Sequence, residues 1–127
     1  ITFVPEENQW AITGDATVNG WANDDPSDDP IGVDIDLNYE GFDMGTNTYT
    51  WMSNGTIALS EGAFKFRTND SWDVNIGWNE LTLEGDIDGF QDSDGNVGVT
   101  AAGAGDYEIT LYTSDEGANY TASFAKQ

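Results

Sequence analysis

The chain has no cysteine, no histidine and only 3 cations (Lys65, Arg67 and Lys126) against 24 Asp and Glu in 127 residues. Without cysteine there is neither a disulfide framework nor a thiolate metal site. Without His or Cys the common nucleophile–base triads are excluded as well. A formal net charge of -21 removes nucleic acid from the candidate partners, because neutralising phosphates requires a basic stripe. It disfavours an anionic membrane surface for the same reason. No apolar run approaches transmembrane length, and no signal peptide is visible. Helical periodicity is missing too: no segment of useful length repeats its apolar residues three and four apart.

What is present suits a folded chain. Hydrophobic residues make up 38% and aromatics 13%, enough for one domain with a real core and too little length for two. The expectation is a single domain, residues 1–127, and since the chain begins mid-phrase at Ile1-Thr2-Phe3, one excised from a longer polypeptide or left by maturation. The acidic excess reads first as solubility, in salty surroundings above all.

Period-two alternation recurs along the chain. In residues 33–40, Val33, Ile35, Leu37 and Tyr39 alternate with Asp34, Asp36, Asn38 and Glu40. Tyr107, Ile109 and Leu111 repeat the pattern, as do Tyr120, Ala122 and Phe124. Further strands are expected at residues 9–13, 48–53, 56–59, 63–67, 73–77 and 96–100. Asn54-Gly55, Glu61-Gly62, Asp94-Gly95 and Glu116-Gly117 punctuate them as turns. Residues 22–32 and roughly 84–95, both rich in Asp, read as long surface loops. About eight short strands with turn signals between them predict an all-β fold, an antiparallel β-sandwich.

The stretch Phe64-Lys65-Phe66-Arg67 carries two of the three cations, interleaved with aromatics. Side chains alternate faces along a strand, so Phe64 and Phe66 are expected inward, with Lys65 and Arg67 side by side outside. Trp72 follows within Asp70-Ser71-Trp72-Asp73. Long donors beside an aromatic plate suit a neutral, hydroxyl-rich ligand.

The motif order adds a resemblance. Trp10-Ala11-Ile12-Thr13-Gly14-Asp15-Ala16-Thr17 is followed by Gly20-Trp21, by Trp51 on a strand, and by Gly62-Ala63-Phe64-Lys65-Phe66-Arg67. Trp72-Asp73-Val74-Asn75, Gly95-Asn96-Val97 and Gly105-Asp106-Tyr107-Glu108-Ile109-Thr110-Leu111 complete the series. This resembles the C-terminal repeat domains of SusE and SusF, outer-membrane glycan-binding lipoproteins of Bacteroidetes, over residues 9–124. More distantly it resembles the starch-binding modules appended to amylases and glucoamylases. The acidic stretch 23–30, the insertion before Gly95 and the exceptional acidity depart from those families. The resemblance implies an immunoglobulin-like sandwich and non-catalytic binding of a neutral glucan, either starch-like α-glucan or laminarin-type β-1,3-glucan. It further implies a place on the bacterial outer membrane, facing outward, with a lipid anchor outside this chain and glycan-uptake partners beside it. The isolated domain is expected to be monomeric.

On that reading Trp21 is the exposed stacking plate; the competing reading has it capping one end of the sandwich. Lys65 best matches the family, and Arg67 joins it as a donor, unless it serves only to balance surface charge. Trp72 shares parity with Val74 and Ile76, which would bury it unless a turn or bulge at residues 69–71 re-aims it. Asp73 and Asn75 fall on the opposite parity, facing the ligand; Trp78 and Asn79 are further candidates. Trp10 and Trp51 read as core. Calcium is weighed at Asp86, Asp88, Asp92 and Asp94 and in the loop of Asp24, Asp25, Asp28 and Asp29, against solvated turns. Asp92-Ser93-Asp94-Gly95-Asn96 fails as an EF-hand loop, because Val97 and Gly103 stand where Gly and Glu are required. Asn54, Asn69 and Asn119 head Asn-x-Ser/Thr sequons, chance matches if the source is bacterial. The alternative function is a calcium-stabilised acidic structural or adhesive surface domain. A glycosidase needs two flanking carboxylates, and no pair stands out, so no enzymatic activity is expected.

Overall fold

Where apolar and polar residues alternate, the chain forms strands. The computed structural model describes residues 10–18, 20, 35–68, 71–114 and 119–127, without the side chains at 68, 71–74 and 119. The first half holds β1 (Trp10–Thr13), β2 (Ile35–Asp36), β3 (Asn38–Asp43), β4 (Thr48–Met52), β5 (Ile57–Leu59) and β6 (Gly62–Thr68). The second holds β7 (Ser71–Ile76), β8 (Leu81–Gly85), β9 (Phe90–Ser93), β10 (Asn96–Val99), β11 (Gly105–Ser114) and β12 (Asn119–Lys126). Ala101–Gly103 forms one turn of 3-10 helix.

Two 6-stranded sheets result. The first runs β2-β1-β6-β10-β9, with β7 also on β6; the second runs β3-β4-β11-β12-β8, with β5 also on β11. The protein is an all-β sandwich. Phe64 of the first sheet meets Phe124 of the second with ring centroids 5.9 Å apart. Phe90 reaches Phe124 at 5.0 Å and Tyr107 at 5.5 Å, again from sheet to sheet. Trp10 and Tyr120 close the opposite flank edge-to-face at 5.5 Å. Phe64, Phe66, Trp51, Ile109, Leu111 and Phe124 are all buried among one cluster, each contributing roughly 1.5–3 kcal/mol through removal from water.

Three features differ from the sequence expectation. Twelve strands are present among the described residues, where about eight were expected from the turn signals. Residues 84–95, read as a loop, contain the end of β8 and all of β9. Strand β9 (Phe90-Gln91-Asp92-Ser93) has a single large apolar residue because it is a sheet edge, held by β10 alone. Strand β8 earns its place through a parallel ladder with β12, Leu81 opposite Tyr120 and Leu83 opposite Ala122. The continuous strand expected over residues 33–40 is divided, in its described part, at the buried Leu37. Strand β2 pairs with β1 in the first sheet and β3 with β4 in the second, so the chain changes sheets there without losing its alternation.

Turn chemistry fits the reading. Asp94 and Gly95 join β9 to β10 with φ of 56° and 85°, a two-residue turn that needs the left-handed region at both positions. The Gly14 nitrogen donates to the Gly20 carbonyl at 3.2 Å. Gly14 has φ +148°, and a Cβ there would lie 2.2 Å from the Ala63 carbonyl oxygen. The pocket of backbone over β6 is therefore open only to glycine. Gly14→Ala is expected to cost roughly 2 kcal/mol or more of unfolding free energy, read by urea denaturation.

Tyr107 is 1% exposed, and its hydroxyl donates to the Gly103 carbonyl at 2.5 Å. Burial, helped by the negative charge of Asp86, raises its ionisation above the ordinary 10.0. The folded state thus holds this proton more tightly than the unfolded chain does. Its contribution is complete below about pH 10 and is lost as pH climbs from there through the folded-state value. Urea titrations at pH 8 and near pH 11 should show that loss, and Tyr107→Phe should show a smaller decline between the two. Tyr120, also raised by burial, should keep some of the decline in the variant.

Candidate functional site

Strand β6 gathers the first sheet. Along one edge it pairs with β1, Thr13 opposite Lys65 and Ala11 opposite Arg67. Its other edge is shared end to end: β10 takes Gly62, Ala63 and Phe64, and β7 takes Phe66, Arg67 and Thr68. Lys65 stands where one neighbour gives way to the next. Phe64 and Phe66 are fully buried in the core, so Lys65 and Arg67 belong to the outer face.

At this seam the half-buried Lys65 donates from Nζ to Asn75 Oδ1 at 2.8 Å. Gly77 lies beneath the lysine stem: a Cβ there would sit 2.9 Å from Lys65 Cε and 2.2 Å from the Gly95 carbonyl oxygen. The turn after β7 is fastened by Trp78 N–H to the Gly95 carbonyl at 2.8 Å and by Gly77 N–H to Glu80 Oε1 at 2.7 Å. The Asn79 amide approaches the same turn, its nitrogen 3.6 Å from a Cβ placed on Gly95. A rigid backbone thus holds a cationic donor and amides of both polarities on one outer face. Across β1, Thr13 Oγ1 donates to the Gly20 carbonyl at 3.3 Å. Gly20, the residue before Trp21, is therefore fixed beside the register partner of Lys65.

The structure separates the other expected site residues. Arg67 is 0% exposed, so the expected side-by-side pair of exposed cations is instead a half-buried lysine and a wholly buried arginine. Thr13 and Ala11, its neighbours on that face, are equally dry: alternation sends a residue outward, but it does not say that outside means solvent. A buried guanidinium requires compensating partners, and Arg67 does not lack them. Trp78 packs against the core and lines an apolar recess with Leu81, Leu83 and Ile87, a recess Lys65 does not share. Trp21 lies outside the described residues. Trp72 and Asp73 fall in β7, with side chains outside them. The β6–β7 ladder shifts register there, Arg67 opposite Asn75 but Thr68 opposite Ser71, so parity counted back from Ile76 does not carry to Trp72.

Sequence reasoning passed over Thr13, whose hydroxyl ties Gly20 to the site; the Thr13-Gly14 step beside Gly20-Trp21 was the available signal. Among the calcium candidates, Asp92 Oδ1 accepts Gly95 N–H at 2.9 Å and Asp86 Oδ2 accepts Lys126 N–H at 2.9 Å. Both carboxylates thereby support backbone. Among the described residues no group of three or more acidic, His or Cys side chains could hold a metal ion; the loop of Asp24, Asp25, Asp28 and Asp29 lies outside them.

Comparison of the chain with protein-family models, curated proteins and solved structures gives no match. The resemblance to SusE and SusF rests on its motifs alone.

The Lys65–Asn75 contact has a measurable stability signature. Asn75→Ala should lower unfolding free energy by about 1 kcal/mol. A double-mutant cycle with Lys65→Met should show a coupling of about 0.5 kcal/mol or more, read from urea midpoints.

Proposed function

We propose that this domain binds a neutral glucan without catalysis, starch-like α-glucan or laminarin-type β-1,3-glucan, as part of a glycan-uptake system on a bacterial outer membrane. The observation that carries the reading is the Lys65 Nζ to Asn75 Oδ1 hydrogen bond, 2.8 Å long, on an outer sheet face whose Thr13 holds Gly20, the residue before Trp21. Held this way, lysine offers its remaining N–H donors to ring hydroxyls, with Asn75 fixing its head, while an indole at Trp21 stacks on the C–H face of a sugar. Arg67 serves from beneath, adding positive potential without touching ligand. The formal net charge of -21 repels a polyanion from the domain as a whole, and the lysine here acts as a hydrogen-bond donor to a neutral ligand.

Such a shallow site binds weakly, on the order of 10 µM to 1 mM, since few groups are desolvated. Useful retention then comes from several domains acting together on one polymer. No helix among the described residues is long and apolar enough to cross a membrane, and the proposed attachment is a lipid anchor outside this chain.

The test is affinity electrophoresis and calorimetry against starch, pullulan, laminarin and mixed-linkage glucan, with wild type, Trp21→Ala and Lys65→Ala. One polymer should be retained, with affinity falling about tenfold or more in each variant while far-UV circular dichroism stays unchanged. Uniformly absent binding in the wild type would overturn the proposal; a large thermal upshift with calcium instead would favour the acidic adhesive reading.

A further inference from the structure

The second sheet presents an outer face of a different chemistry. Its register sets Gly41, Thr50, Tyr112, Thr121 and Thr82 in one row across β3, β4, β11, β12 and β8. On either side lie Asp43, Thr48 and Ser114, and Met52, Thr110 and Ser123, each again in cross-strand register. The row places one residue per strand, about every 4.8 Å, with side chains on all but the glycine of β3. Tyr112 is the aromatic in its middle, flanked by threonines too short to cover its ring.

The face also carries a shallow, open depression. A recess of about 330 Å³ is lined by Asp43, Thr46, Thr48, Thr50, Tyr112, Ser114 and Thr121, within the size range of small-ligand sites. Thr48 Oγ1 donates to the Thr46 carbonyl at 3.0 Å. Among the described residues Thr50, Tyr112 and Thr121 make no side-chain hydrogen bond, so their hydroxyls face outward ready to donate and accept. A Cβ on Gly41 would meet nothing within 4 Å, leaving that end of the row open.

Charge narrows the occupant. Lys65 and Arg67 lie in β6 of the opposite sheet, and Lys126 Nζ is turned to the Ala102 carbonyl at 3.2 Å. None of the three cations therefore serves this face, whose charged members Asp43, Glu84, Asp106 and Glu108 are all acidic. Phosphorylated or uronate ligands are repelled. A membrane surface is repelled likewise, and the hydroxyl lining is too polar for an acyl chain.

We infer that the Tyr112 row is a second saccharide-binding site, taking a neutral oligosaccharide laid across the strands, one pyranose face against the Tyr112 ring. Thr50 and Thr121 bond the hydroxyls on either side of that ring, and the Asp43 carboxylate accepts from a sugar hydroxyl on the β3 side of the recess. The site shares its ligand class with the reading above but none of its residues. One domain then carries two sites on opposite faces, and can bridge neighbouring glucan chains or hold one chain at two points.

The test is a ¹⁵N–¹H NMR titration with maltoheptaose and with laminarihexaose, on wild type, Tyr112→Ala, Tyr112→Phe and Lys65→Ala. The expected result is two groups of shifting amides, one about Lys65 and Asn75, the other about Thr50, Tyr112 and Thr121. Tyr112→Ala should weaken the second group about tenfold or more and leave the first unchanged, whereas Tyr112→Phe, which keeps the ring, should stay within about threefold. Lys65→Ala should do the reverse of Tyr112→Ala. Shifts confined to the Lys65 group would overturn the second site while sparing the first. Shifts confined to the Tyr112 group would sink the Lys65 site instead, and silence with both sugars would remove both.

Discussion

Phe64 organises the molecule because its ring has to be dry, and both sheets are needed to dry it. It touches Phe66 and Phe90 within its own sheet at 6.0 Å each and Phe124 across the sandwich at 5.9 Å. Once those rings close, β6 is fixed in height and rotation, and the period of two leaves Lys65 and Arg67 no choice of face. Strand β6 then serves as the template for β1 on one edge and for β10 and β7 on the other. The handover between β10 and β7 opens beside Lys65, and the close approach of Gly77 to the Gly95 carbonyl seals it. Site geometry at the lysine is thus a consequence of core packing several ångströms away.

The same strand shows how differently two cations of one face can be treated. Lys65 keeps its head at the surface with its stem covered, as long amphipathic side chains do. Arg67, two residues on, is wholly enclosed. Enclosing a guanidinium is unfavourable unless it is bonded, and this is one of only three cations in a chain of net charge -21. With 24 Asp and Glu in the chain, acceptors for a buried guanidinium are abundant in the sequence.

The two outer faces divide the polar work. One concentrates cation and amide near Gly20; the other is a threonine sheet with a single tyrosine in its midst. A sandwich suits this division, because its inner faces hold it together and its outer faces stay free to vary.

Much of this architecture was legible along the chain. The alternation at β4, β6, β11 and β12, the Asp94-Gly95 turn and the inward Phe64 and Phe66 all follow from residues next to one another, where steric rules act. Tertiary structure alone decided the rest. Strand β8 exists through a parallel ladder to a strand some forty positions later, and β9 through the hairpin and edge it completes. Arg67 is wholly buried, although its own alternation points it outward. Asn75 meets Lys65 through the register between the consecutive strands β6 and β7, and Tyr112 meets Thr121 on the next strand and Thr50 some sixty positions earlier. Local sequence determines which way a side chain faces; which neighbour it meets there depends on the long-range pairing that the closed core selects.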